Sequence, residues 1–131
     1  MNLKVYLTDK NIDYMKEYDN FYENLDDSTG TILIHHGKAK YPGKYIENYT
    51  EINLFLKDEK ALEVLREESE KIYKEYNLNK LFVIHRIGKI KKNDSILFLA
   101  CEAKDRIGAF DGVRALLEFI KAENLIGLEE I

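Results

Sequence analysis

Leu3, Val5 and Leu7 alternate with Lys4, Tyr6 and Thr8, the two-residue period of a strand with one buried face. Ile12, Met15, Tyr22 and Leu25 then recur at roughly helical spacing, which predicts a helix over residues 10–25 with Thr8 or Asp9 as its cap. Asp26-Asp27-Ser28 ends that pattern. Residues 31–36 read as a second strand, residues 37–44 as a loop marked by Pro42-Gly43, and residues 45–56 as a long third strand. The clearest helical stripe is Ala61, Leu62, Leu65, Ile72 and Tyr76, in a helix over 58–76 whose Glu67/Lys71 and Glu70/Lys74 pairs belong to a solvated face. Two apolar runs, residues 81–87 and 96–103, flank a polar stretch and predict a hairpin in the middle of a sheet. A last helix is expected over about 107–122, burying Ala109, Phe110, Val113, Leu116, Leu117 and Ile120, while residues 124–131 carry no strong period.

This order, β-α-β-β-α-β-β-α with short connections, predicts an α+β fold: a largely antiparallel sheet with helices packed on one side. Length and composition agree with one domain over residues 1–131, since 131 residues at 45% hydrophobic content can build one ordinary core. No apolar run approaches the roughly 18 residues of a membrane span, and the first residues lack a signal-peptide core, so a cytoplasmic protein is expected. Cys101 is the only cysteine, which leaves stability to packing and excludes a zinc site built from several cysteines. The net charge of −4 argues against general nucleic-acid binding but permits one local cationic pocket.

His35 and His36 are adjacent on an expected strand, so they point to opposite faces and cannot chelate one metal together. No metal and no resident cofactor is expected. His85, at the end of an apolar strand, reads as a structural histidine, and Cys101, inside a run of apolar residues, as a small hydrophobe. The cations are more informative because several fall where strands end. Lys38, Lys40 and Lys44 punctuate the glycine-containing loop, Arg86 closes a strand, and Lys104 and Arg106 lie at the entry to the last helix. Arg106 beside the free N–H groups of a helix start would suit a phosphate or carboxylate. On spacing alone the plainer reading as solubilising charges is preferred, because no phosphate-binding loop or nucleophile elbow accompanies them.

Taken together, these pieces are more specific. The stretch from Val83 to Lys121 resembles the catalytic large subunit of molybdopterin synthase, the MoaE family. His85-Arg86-Ile87-Gly88 matches its HR-x-G motif, Arg106, Ala109 and Phe110 match its HR-x-x-AF motif, and Lys121 falls at its end-of-helix lysine. Upstream, Thr29-Gly30 and Gly37-Lys38-Ala39-Lys40 resemble that family's second strand and following loop. The resemblance implies an α/β-hammerhead domain that forms a homodimer within a heterotetramer. Its partner is a ubiquitin-like small subunit with a C-terminal Gly-Gly, whose thiocarboxylate donates sulfur to cyclic pyranopterin monophosphate to form the molybdopterin dithiolene. Lys121 is then the catalytic candidate, an amine at an apolar helix end where burial and nearby cations favour its reactive, uncharged form. Arg86, Arg106 and Lys40 are the substrate-binding candidates. If one helix carries both Arg106 and Lys121, roughly 22 Å separates them along its axis, so a site using both needs two protomers.

The chain also departs from the family. Leu128 stands where a second active-site lysine is implied, with Glu130 at the family's glutamate. Asp105 replaces a histidine and is placed to pair with Arg106, Lys40 replaces a loop arginine, and the resemblance implies a further C-terminal segment beyond the position of Ile131. These departures carry an alternative: a catalytically weakened homologue that binds a ubiquitin-like partner or a phosphorylated pterin without efficient sulfur transfer.

Overall fold

The computed structural model describes residues 2–131. Its elements are β1 (Leu3–Thr8), α1 (Tyr14–Tyr22), β2 (Thr31–Lys38), β3 (Ile52–Leu56), α2 (Ala61–Glu75), β4 (Lys80–Arg86), β5 (Gly88–Ile90), β6 (Ser95–Ala103), α3 (Arg106–Lys121) and β7 (Ile126–Glu130). They form two sheets. One is ordered β1-β4-β6-β2, with β1 parallel to β4 and the other pairs antiparallel; the second, ordered β5-β3-β7, is antiparallel throughout. The fold is α+β, of the α/β-hammerhead type.

The two apolar runs do lie side by side at the centre of the larger sheet, Leu81 opposite Cys101 and Val83 opposite Leu99. Alternate residues of these strands face α2 and α3, where Leu65, Ile72, Val113 and Leu116 close over Leu81, Val83, Leu97, Leu99 and Cys101. The expected placement of helices on one side holds for these two. The first helix packs on the opposite face, where Phe21 meets Ile84, Phe98 and Ala100. Both faces of β4 and β6 are therefore covered, which is why these strands read as continuous apolar runs instead of alternating ones.

The buried exceptions on that opposite face are charged. Lys80 and Glu102 sit directly across from each other in the strand register, with Nζ and Oε2 3.0 Å apart and side chains 7% and 1% exposed. Lys80 Nζ also donates to the carbonyl oxygens of Phe21 and Glu23, at 2.9 and 2.7 Å. Glu102 Oε1 accepts from Asp26 N and Thr29 Oγ1, at 3.2 and 2.8 Å. The pair thus fastens the link between α1 and β2 to the sheet. The sequence pattern conceals it, because each charge stands beside apolar residues in its strand.

Phe110, expected on the buried face of the last helix, is instead 52% exposed. Three further expectations change. The helix predicted over 10–25 begins only at Tyr14, and its cap is Asp13, whose Oδ1 accepts from Lys16 N at 3.2 Å, not Thr8 or Asp9. Ile12 is instead buried against the sheet, and Asn11 is held by Arg86. The long third strand contracts to Ile52–Leu56, because the N–H groups of Lys44, Tyr45 and Ile46 bond to the Glu130 carboxylate at 2.6–2.8 Å instead of to a neighbouring strand. The segment read as having no period forms β7, pairing with β3 so that Leu128 lies opposite Leu54. Ile126, Leu128 and Glu130 share one face of that strand. The alternation is present, but a buried carboxylate occupies its third inward position.

Candidate active site

The end of α3 is where the two sheets meet. Lys121 is the last residue of that helix, and its exposed side chain stands between two cavities. The larger, about 600 Å3, is an apolar groove between α3 and the edge strand β2, lined by Leu33, Ile34, His35, Phe110, Val113, Leu117 and Lys121 among others. The smaller, about 250 Å3, opens toward the second sheet and is lined by Lys44, Leu54, His85, Ile96, Ile120, Lys121, Glu123, Ile126 and Leu128. Burial around Lys121, expected from its apolar helix end, is not supplied by a single chain.

A histidine faces each cavity. His35 and His36 do occupy opposite faces of β2: His35 lines the groove, whereas the His36 ring lies 4.5 Å from that of Tyr14. Burial lowers the His35 pKa below its ordinary value, and the charges of Lys121 and His36 lower it further. His85 is buried, and its Nδ1 lies 2.7 Å from the carbonyl oxygen of Arg86. A carbonyl only accepts, so Nδ1 carries the proton and Nε2 is the ring's free acceptor. Desolvation lowers the His85 pKa, against the raising effect of that hydrogen bond.

The sign of this shift sets a pH dependence. The folded state favours neutral His85, while the unfolded chain takes up a proton below about 6.5, so this contribution is present above 6.5 and lost as pH falls toward the lowered folded value. The thermal midpoint is expected to fall as pH drops below 6.5, and His85→Asn, which keeps a donor without a titrating ring, should flatten that slope. An unchanged slope in the variant would contradict the assignment.

The anion-binding candidates do not gather around Lys121 within one chain. Arg86 is buried, donating to Ile87 O, Asn11 Oδ1 and Lys89 O at 3.1, 2.8 and 3.2 Å. It lines neither cavity. Its role in this chain is to tie the segment after β1 to the turn where Gly88, at φ +92°, carries the chain from one sheet into the other. Lys40 is exposed in the loop after β2, and its charge acts on Glu130. Arg106 is exposed at the other end of α3, roughly 22 Å from Lys121 for a helix of this length. The fifteen-residue spacing on one helix is thus realised, and with it the need for a second protomer if both side chains serve one site.

Asp105 has a different task from the one expected. Its carboxylate accepts from Gly108 N at 3.1 Å, capping α3, and no ion pair joins it to Arg106 among the described residues. The helix start therefore already holds a carboxylate, which competes with any ligand anion for those N–H groups. Asp105→Ala is expected to cost about 1 kcal/mol, measured by chemical unfolding, and a change below a few tenths would refute the capping role.

Cys101 is fully buried, and desolvation pushes its thiol up to about 11, in keeping with a packing role. Among the described residues, no three His, Cys, Asp or Glu side chains gather in a way that could hold a metal ion. Sequence reasoning misses Glu123, and for Glu130, which stands at the family's glutamate, it misses the backbone donors that the carboxylate gathers. Burial acts to raise the Glu130 pKa, but three backbone donors and Lys40 outweigh it and hold the carboxyl below its ordinary value. Gly43 makes room for this: a Cβ there would strike the Ile46 carbonyl and lie 2.7 Å from both Glu130 oxygens. Glu123, just past the end of α3, adopts φ +57° and reaches Lys44, with Oε2 3.7 Å from Nζ.

Fold and site together define an α+β domain of the hammerhead class, with a helix-terminal lysine between an edge-strand groove and a second, smaller cavity. The MoaE protein family matches residues 7–123, and the chain belongs to that family. Membership places it in molybdenum cofactor biosynthesis. Among solved structures, it is similar to molybdopterin synthase from Staphylococcus aureus (18% identity, TM-score 0.81, covering 97% of this chain and 90% of that one). It is also similar to molybdopterin cofactor biosynthesis protein E from Burkholderia multivorans (16%, TM-score 0.76, covering 92% and 77%). A third likeness is to a chain in the complex of subunits 1 and 2 of molybdopterin-converting factor from Helicobacter pylori (14%, TM-score 0.74, covering 99% and 84%). No curated protein matches significantly. Among the described residues, no helix is long and apolar enough to cross a membrane.

Proposed function

We propose that this chain is the large subunit of molybdopterin synthase. It takes sulfur from the thiocarboxylated C-terminal Gly-Gly of a ubiquitin-like small subunit and delivers it to cyclic pyranopterin monophosphate, two transfers forming the dithiolene. The observation that carries this reading is the position of Lys121, whose amine stands at the junction of two cavities. An extended peptide tail suits the larger groove, which is mostly apolar and runs beside β2, an edge strand with one side unpaired in the sheet. A lysine at the groove's end is placed to move a proton as sulfur leaves the acyl carbon or adds to the pterin.

Arg106 serves this chemistry only across a homodimer. Ile107, 66% exposed beside Arg106 on the same helix, supplies apolar surface for such an association. Arg86, held by Asn11, and Lys40, whose charge acts on Glu130, are the further anion-binding candidates.

The test is reconstitution. The protein is mixed with a thiocarboxylated small subunit and cyclic pyranopterin monophosphate, and dithiolene product is sought by mass spectrometry. Sulfur incorporation supports the synthase reading. No incorporation, with small-subunit binding intact, would overturn it in favour of a homologue that binds without efficient transfer.

A further inference from the structure

We propose that Lys44 is a second cation of the Lys121 site and binds an anionic group of the reactants there, the phosphate of the pterin or the thiocarboxylate of the small subunit's tail. This rests on the reading of the site as a synthase pocket, but its evidence is local. Lys44 and Lys121 come from elements far apart in sequence, the loop after β2 and the end of α3, yet both line the cavity of about 250 Å3. Most of the remaining wall is apolar, including Leu54, Ile96, Ile126 and Leu128. Two ammonium groups against one carboxylate, Glu123, leave this cavity with an excess positive charge beside low-dielectric walls, a setting that attracts an anion.

Lys44 is held in place at both its ends. Its backbone N–H donates to Glu130 Oε2 at 2.8 Å, within the turn that Gly43 permits. Its ammonium lies 3.7 Å from Glu123 Oε2 and 5.2 Å from the centre of the Tyr45 ring. Tyr45 and then Glu123 raise its pKa above the ordinary lysine value, which makes it a fixed cation at neutral pH. The Glu123 contact is long and its lysine 54% exposed, so it orients the ammonium without consuming it, as half-exposed pairs of this kind are weak. Glu123 itself keeps a left-handed backbone where glycine is the usual residue, and its side chain meets both Lys44 and the Tyr45 hydroxyl. Leu128, at the position where the family resemblance implies a lysine, lines the same cavity. The charge absent from β7 is thus offered by the loop facing it.

The experiment compares wild type, Lys44→Met and Lys44→Arg in the reconstituted reaction, varying the pterin and the small subunit separately. Lys44→Met should lower kcat/KM about tenfold to a hundredfold, the scale of one lost charge-assisted hydrogen bond, with Lys44→Arg retaining most of it. A rise in KM confined to the pterin assigns the phosphate; one confined to the small subunit assigns the tail thiocarboxylate. Adding Leu128→Lys to Lys44→Met should restore turnover, since the new amine enters the same cavity. Lys44→Met with kcat/KM within twofold of wild type overturns the proposal while leaving the synthase reading intact. If wild type itself shows no turnover, that reading fails, and Lys44 is judged by titrating the protein with inorganic phosphate. Binding abolished by Lys44→Met supports it; no binding to wild type, or binding unaffected by the substitution, overturns it.

Discussion

Replacing Glu102 with alanine is expected to destabilise the protein by about 3–5 kcal/mol, because it leaves the Lys80 ammonium buried between strands without its counter-charge. The loss extends beyond the pair. Asp26 N and Thr29 Oγ1 would lose their acceptor, so the link between α1 and β2 would be held to the sheet more loosely, chiefly through Asn79 and the Gly30 N–H. For the same reason the usual rescue of a buried ion pair, exchanging both partners for apolar residues, should fail here. Lys80→Met combined with Glu102→Leu would still strand the carbonyls of Phe21 and Glu23. Denaturant unfolding of both variants checks this. A loss below about 1 kcal/mol in Glu102→Ala, typical of an exposed pair, would show that the buried network contributes little.

Lys121→Ala is expected to reduce sulfur transfer by about a hundredfold or more, the range for removal of a positioned proton-transfer group. Stability should scarcely change. Lys121 is exposed, and its favourable placement at the negative end of α3 is worth only about 0.3–1 kcal/mol. Single-turnover measurement of dithiolene formation, with circular dichroism to confirm the fold, separates the two effects. Lys121→Arg refines the result: it preserves the charge but not a readily exchanged proton, so full activity in that variant would assign an electrostatic role. Full activity in Lys121→Ala would remove Lys121 from the chemistry altogether.

The order of the main elements was legible because each apolar face is built from local repetition. The stripe Ala61, Leu65, Ile72 marks α2, and the runs around Val83 and Leu99 mark the two central strands. What misled the pattern was buried charge. Glu130 occupies an inward position of β7 and draws three backbone donors from residues 44–46, so one strand was overlooked and another made too long. A carboxylate in a hydrophobic period reads as the end of that period, whereas here it is the acceptor on which a loop folds. Arg86, a cation at a strand end that suggests an anion site, gives three of its five guanidinium N–H groups to Ile87, Asn11 and Lys89 within this chain, long-range and turn contacts that its place in the strand does not reveal.

The sequence by itself determined the α+β class, the central hairpin, the helix bearing Arg106 and Lys121, and through its motifs the family to which the chain belongs. Those features depend on residues close together in the chain, where periodicity and capping express the physics directly. Only the tertiary structure decided that α1 lies on the opposite face, that a second sheet forms around β3, and that Lys44 meets Lys121 across one cavity. Each of these joins residues distant in sequence, and the groups that specify them, Glu102, Glu130 and Glu123, act through a few long-range contacts that leave no periodic trace.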